Sequence, residues 1–96
     1  MKNFIDQFRS RSRHHKKLVN FLYPELKKIG DGNILEFGVS TKGMSTELFL
    51  EHANDNNCKL FSVDVVNFSE KFNSSNWKFL NLRDDDFTKV LKNIPN

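Results

Sequence analysis

The first third of the chain carries apolar residues at helical spacing. They recur at intervals of three or four positions and form one stripe, which predicts an amphipathic helix over residues 3–29. Pro24 lies inside this pattern, so it either kinks the helix or opens a second helix at its first position. The stripe consists of Leu18, Val19, Leu22, Leu26 and Ile29.

After a glycine-rich turn at residues 30–33, short apolar runs alternate with helical patterns. The runs predict strands near residues 34–39, 59–65 and 77–82, and helices are expected at 44–53 and 87–94. Ser45 or Thr46 is available to cap the first of these helices. Strands that alternate with helices predict a parallel sheet covered on both faces, with right-handed crossovers.

The expected architecture is therefore α/β. It is a partial Rossmann-like parallel sheet of about three strands with flanking helices. A helical segment over residues 1–32 precedes the sheet region at 33–96. In such sheets, ligands bind beyond the carboxyl ends of the strands.

Composition narrows the possible classes of protein. The 96 residues favour one small domain, and Lys and Arg exceed Asp and Glu by 15 to 12. Five cations between Arg9 and Lys17 indicate a solvated helix face, and nucleic acid is an unlikely partner because no aromatics interleave with them. His14 and His15 lack an acid or cysteine at metal-ligand spacing, so no metal is predicted. A single cysteine, Cys58, and no long apolar run predict a cytoplasmic protein without a membrane anchor.

Two glycines and one acid fall where the predicted sheet would bind a ligand. Gly38 lies where the first strand must turn, and Gly43 lies where the next helix begins. Asp64 ends the second strand, where a carboxylate can accept hydrogen bonds from both hydroxyls of a ribose. Each residue alone is also expected in an ordinary turn. In this order and spacing, the three predict a nucleoside site.

At these positions the sequence resembles class I S-adenosylmethionine-dependent methyltransferases. LEFGVSTKGMS at residues 35–45 is similar to their first motif, in the variant found in macrocin-type O-methyltransferases and cephalosporin-hydroxylase-like proteins. FSVDVV at 61–66 looks like the second motif, and WKFLNLRDDDF at 77–87 like the third strand and its acidic turn. The resemblance covers about residues 33–95. It implies the N-terminal half of a domain that binds S-adenosylmethionine.

The resemblance also implies residues at the methionine end of the cofactor. Glu36 would hold the methionine ammonium group, directly or through water, while Gly38, Ser40 and Gly43 would line the methionine and ribose. Ser40 stands where many members of the family have a second glycine, so its side chain would narrow the pocket or replace a bound water.

At the adenosine end, the resemblance implies that Asp64 binds the ribose hydroxyls and that Val65 borders the adenine. Asp84 or Asp85 would approach the adenine amino group. The acidic run that contains them is also typical of a helix start, where carboxylates are favoured electrostatically. No catalytic residue is implied, because in this family the acceptor site follows the fourth strand.

Two alternatives remain open from the sequence. Residues 38–43 read G-x-S-x-x-G, one residue away from the fingerprint of NAD-type dinucleotide-binding domains. The chain also reaches its last residue where a fourth strand is expected, so it could be a non-catalytic cofactor-binding or interaction module, either a remnant or one part of a split enzyme. An exposed sheet edge would favour self-association or a completing chain.

Overall fold

The computed structural model describes residues 2–83 and 86–94. After the N-terminal helical region the order is strand, helix, strand, strand and helix, as the sequence predicts. The elements are α1 (Lys2–Ser10), α2 (Arg13–Ile29), β1 (Ile34–Phe37), α3 (Met44–Asn56), β2 (Leu60–Asp64), β3 (Trp77–Asn81) and α4 (Phe87–Lys92). None of these helices has the length and apolar character needed to cross a membrane.

The three strands form one parallel sheet in the order β1-β2-β3. Glu36 on β1 pairs with Ser62 on β2, and Asp64 at the end of β2 pairs with Asn81 on β3. Because all three strands run the same way, their carboxyl ends lie at one edge of the sheet. The expected partial Rossmann-like α/β fold is confirmed.

Helices cover both faces of this sheet. On one face α3 packs against β1 and β2, and its buried residues Leu50 and Ala53 form a cluster with Leu60. On the other face, Val90 of α4 packs with Val63 and Leu80. The first helical pair joins α3 through a further apolar cluster, whose buried members are Ile5, Phe8, Val19, Leu26 and Leu48.

The N-terminal helical region breaks at a different residue from the one expected. The second helix does not begin at Pro24, since α2 continues through that residue. The interruption lies at Ser12, whose hydroxyl caps α2 by accepting a hydrogen bond from the His15 amide at 3.2 Å. Beside it, the Arg11 guanidinium donates to both carboxylate oxygens of Glu47 at 2.7 Å. A tertiary contact and a cap therefore set the helix boundary.

The start of α3 also departs from expectation. Ser45 and Thr46 do not cap the helix, because their hydroxyls donate to Glu36 on β1. The N-cap is Gly43, which has no side chain to supply a capping bond and adopts a left-handed φ of +59°. The helix extends three residues beyond the predicted 53 and ends before Asn57, which is also left-handed, with a φ of 52°.

Candidate functional site

The carboxyl ends of β1 and β2 border a small cavity. Its volume is about 150 Å³, and its lining residues are Gly38, Val63, Asp64 and Val65. Gly38 has a φ of +90°, and no atom lies within 4 Å of the position that a Cβ would occupy there. Its amide donates to the Val63 carbonyl at 2.7 Å, which holds the turn after β1 against β2. The backbone beside Gly38 is therefore fixed and open to a ligand.

The Asp64 carboxylate joins the two loops at this edge. Its Oδ2 accepts from the Val39 amide at 2.9 Å, and its Oδ1 accepts from the Val66 amide at 3.0 Å. The Val66 amide is the main factor that lowers the pKa of Asp64, and the amides of Val39, Ser40 and Val65 lower it further, against desolvation, which raises it. The ionised carboxylate therefore orders the β1 and β2 loops.

The residues that follow Asp64 are exposed but held in place. Val65 and Val66 are 64% and 54% exposed. The Asn81 side-chain amide at the end of β3 donates to the carbonyls of Asp64 (3.1 Å) and Val65 (2.9 Å). The loop after β2 therefore presents an apolar surface on a backbone fixed from the neighbouring strand.

Glu36 lies beneath the loop rather than in the cavity. Its side chain is buried, with 6% exposure, under the first turn of α3. Oε1 accepts from the hydroxyls of Thr46 (2.6 Å) and Ser62 (2.9 Å), and Oε2 accepts from Ser45 at 2.8 Å. Glu36 lines neither the small cavity nor the cavity that Ser40 borders, so its carboxylate does not face the space that a ligand would fill.

The bonds of Glu36 continue to the third strand. The Trp77 indole N–H donates to the Ser62 hydroxyl at 2.9 Å, so Ser62 both accepts from Trp77 and donates to Glu36. The sequence analysis did not identify this set of polar residues. Each of the first two predicted strands contains a polar residue among apolar ones, Glu36 in β1 and Ser62 in β2. These two residues are directly opposite each other once the strands are aligned, and this pairing could have indicated the contact.

Ser40 occupies a backbone conformation that favours glycine. Its φ is +66°, in the left-handed region. The side chain lines a second cavity of about 490 Å³ between α2 and the loop at residues 38–43, hereafter the β1–α3 loop. A glycine at this position would adopt the same backbone conformation without strain.

Gly43 is buried away from both cavities. A Cβ there would lie 2.6 Å from Cε of Lys71 and 3.2 Å from Cζ of Phe72. The Lys71 ammonium group donates to the Thr41 carbonyl, so the segment after β2 folds over the end of the β1–α3 loop. The left-handed φ of +59° favours glycine at this position, and a side chain there would also displace the end of Lys71.

The predicted cofactor residues thus divide into three groups. Gly38, Asp64 and Val65 meet at the small cavity, and Ser40 lines the larger one. Glu36 and Gly43 are buried beside the loop. Asp84 and Asp85 lie outside the described residues. Comparisons of the chain with protein-family models, with curated proteins and with solved structures find no match.

Replacing Ser40 with glycine should stabilise the protein. A non-glycine residue in the left-handed conformation costs about 1–2 kcal/mol in the folded state, whereas the greater freedom of glycine in the unfolded chain costs about 0.5–1 kcal/mol. We expect Ser40→Gly to raise the free energy of unfolding by roughly 0.5–1 kcal/mol in urea titrations. Ser40→Ala keeps the strain and is the matched control. A gain for alanine equal to that for glycine would contradict this explanation.

Asp64 should make stability depend on pH in the acid range. Because its pKa is lower in the folded state, its contribution is fully present above the unfolded value near 4 and is lost as the pH falls through the folded value. The difference in free energy of unfolding between wild type and Asp64→Asn should therefore shrink from pH 6 to pH 2.5. Urea titrations at both pH values measure it. A constant difference would show that the Asp64 charge does not stabilise the fold.

Proposed function

We propose that this chain is the S-adenosylmethionine-binding part of a methyltransferase that moves a methyl group to an unidentified acceptor. The observation that carries the proposal is the meeting of Gly38 and Asp64 at one cavity, on the carboxyl ends of adjacent parallel strands. Ligands of α/β sheets bind at this edge. The motif resemblance at residues 35–45 and 61–66 supports the same assignment.

The Asp64 carboxylate has the chemistry to bind a ribose. An ionised carboxylate offers about four lone-pair positions, and the hydrogen bonds to Val39 and Val66 use one on each oxygen. The remaining lone pairs can accept hydrogen bonds from the two ribose hydroxyls. These bonds would replace the contacts that the carboxylate makes with the amides of Ser40 and Val65. The exposed Val65 beside it offers an apolar surface for the adenine.

Gly38 supplies the open backbone that the rest of the ligand needs. The space beside it would be filled by any side chain, so a larger residue would compete with the ligand for the same volume. The cavity of about 150 Å³ is smaller than the roughly 300–1,000 Å³ of typical small-molecule sites. This cavity therefore holds only part of the cofactor. Other residues must line the rest of the binding site.

Glu36 acts through the loop in this proposal. It holds Ser45 and Thr46 at the start of α3, and so positions the β1–α3 loop against which the methionine moiety would lie. When bound, S-adenosylmethionine supplies the electrophilic methyl group on its sulfonium. The task of the described residues is to bind and orient it.

The dinucleotide alternative is less well supported by the loop geometry. A pyrophosphate needs close backbone approach along the glycine loop. Here the Lys71 and Phe72 side chains cover Gly43, and Ser40 replaces the central glycine. The non-catalytic module remains the alternative for a chain that binds cofactor without methyl transfer. The cytoplasmic location stays a prediction that rests on the single cysteine, Cys58.

Calorimetric titration with S-adenosylhomocysteine tests the site. Hydrogen bonds to a charged group contribute about 1.5–3 kcal/mol, and each 1.4 kcal/mol is a factor of ten in affinity. Asp64→Ala should therefore weaken binding by roughly ten- to a hundredfold. Gly38→Val should weaken it at least as much, because its side chain enters the ligand volume. NAD, titrated in parallel, should bind more weakly than S-adenosylhomocysteine.

The control is Lys28→Ala, a change on the exposed end of α2 whose ammonium group contacts only Glu25 among the described residues, at 3.3 Å. Each variant is first checked for folding by circular dichroism. Equal binding by wild type, both site variants and the control would rule out the assignment. So would the absence of binding even when a completing partner chain is supplied.

The outer edge of the sheet, formed by β1, is the surface that we propose pairs with another chain. Among the described residues, β1 pairs with β2 on one side and has no strand on the other. An edge strand presents unpaired N–H and C=O groups that recruit another chain. Leu35 on this strand is 39% exposed and adds an apolar contact. Self-association or a completing chain through β1 follows from these two features.

Light scattering over a range of concentrations measures this association. We expect the apparent mass to rise with concentration, and Leu35→Lys to weaken the association at least tenfold by placing a charge on the paired edge. Ile29→Lys introduces the same charge on an exposed residue at the end of α2 and should leave the association unchanged. A monomer at every concentration, with no partner captured, would contradict the proposal.

A further inference from the structure

The larger cavity lies between α2 and the β1–α3 loop. Its volume of about 490 Å³ falls within the range of small-molecule sites. It draws side chains from two separate parts of the chain, α2 and the loop that enters α3. The lining residues are His14, Lys17, Leu18, Phe21, Ser40, Lys42, Met44 and Ser45.

One part of this lining is apolar and open. Phe21 is 76% exposed, and Leu18 and Met44 beside it are partly buried. An aromatic ring with two aliphatic neighbours offers a surface on which a planar apolar group packs favourably. A ligand that covered Phe21 would remove a large apolar area from water.

The charges around the cavity are of one sign. Lys17 comes from α2 and Lys42 from the loop, and no acidic residue of the part of the chain that the structure describes lines the cavity. Neither lysine forms an ion pair with a described residue. Glu47 lines a neighbouring cavity that shares Lys42, but its two oxygens accept from Arg11 at 2.7 Å, which compensates its charge. The two lysines therefore create a positive potential that favours an anion.

We propose that this cavity binds a small organic anion with a planar apolar body. Its carboxylate or phosphate contacts Lys17 and Lys42, and its body packs on Phe21 and Leu18. The Ser40 residue that lines this cavity also lies in the loop of the proposed cofactor site. On the proposed function, on which this extension rests, such an anion is the class of the methyl acceptor, and this cavity forms part of an acceptor site whose remainder the resemblance places after the fourth strand. Anion binding itself does not depend on that function.

Three naphthalene probes test the charge requirement by calorimetry: 2-naphthoate, 2-naphthyl phosphate and the neutral 2-naphthamide. At least one anion should bind ten times more tightly than the amide, and comparison of the two anions distinguishes carboxylate from phosphate recognition. The double variant Lys17→Gln/Lys42→Gln should weaken anion binding about tenfold and leave amide binding unchanged. Lys16→Gln/Lys28→Gln removes the same charge from exposed positions of α2 that do not line the cavity, and should change anion affinity less than twofold.

The location of the bound probe can be read from a methionine methyl group. The chain has two methionines, and a Met44→Leu variant assigns the Met44 signal in a carbon-proton spectrum. Titration of an anion should shift the Met44 methyl signal, and Phe21→Ala should reduce the affinity for all three probes.

Three outcomes would overturn the proposal. They are equal affinity for the anions and the amide, an equal loss of affinity in the two double variants, and binding by neither anion at millimolar concentration. Titrations with and without S-adenosylhomocysteine keep the two proposals separate. Anion binding without cofactor binding would refute the methyltransferase assignment alone, and cofactor binding without anion binding would refute this inference alone.

Discussion

A carboxylate inside the protein must be matched by donors, and Glu36 is matched by three hydroxyl groups from two different elements. A buried charge without partners would cost several kcal/mol, so the positions of Ser45, Thr46 and Ser62 are tightly constrained. Because these donors belong to α3 and β2, the start of α3 is tied to the centre of the sheet. The path of the β1–α3 loop, and therefore both cavities that border it, follows from this constraint.

Asp64 also holds the β1–α3 loop, but it does so from the surface of the same edge of the sheet. Glu36 fixes the loop from beneath, whereas Asp64 fixes it from the neighbouring strand end through the Val39 amide. The two acids thus have different surroundings: one is enclosed by hydroxyls, and the other is partly exposed and held by backbone amides. Only the exposed carboxylate has access to a ligand, which makes Asp64 rather than Glu36 the direct binding group in the proposed function.

The sheet and its flanking helices could be predicted because their signals are local. Apolar runs between glycine-rich or polar turns define strands of this kind, and residues within one helical stripe are close in sequence. The features that the sequence analysis missed depend on distant partners. The helix break at Ser12 involves Glu47, the hydroxyls of Ser45 and Thr46 prefer Glu36 to a capping position, and Lys71 reaches back over Gly43. Such contacts depend on tertiary packing, which single-sequence patterns do not contain.

For the candidate site, the sequence predicted that Gly38, Asp64 and Val65 lie at one edge of the sheet, but it did not show which of the predicted residues line the small cavity. Gly38, Asp64 and Val65 meet because parallel strands align their ends, a consequence of topology. Ser40 lines a cavity whereas Gly43 is buried, and this difference depends on the conformation of the β1–α3 loop and on the Lys71 and Phe72 side chains that cover Gly43. The left-handed φ of Ser40 was also not evident from the sequence, although many of the methyltransferases that the motif resembles have a glycine at this position.

Trp77 gives this arrangement an optical signature. It is the only tryptophan in the chain, and its indole N–H bonds the hydroxyl of Ser62, which in turn bonds Glu36. Indole emission responds to hydrogen bonding and to the polarity around the ring. The fluorescence of the natural protein, without any label, therefore originates two hydrogen bonds away from Glu36, the residue that holds the β1–α3 loop. A change in the β1–α3 loop that breaks these hydrogen bonds should therefore alter the emission of Trp77 on β3.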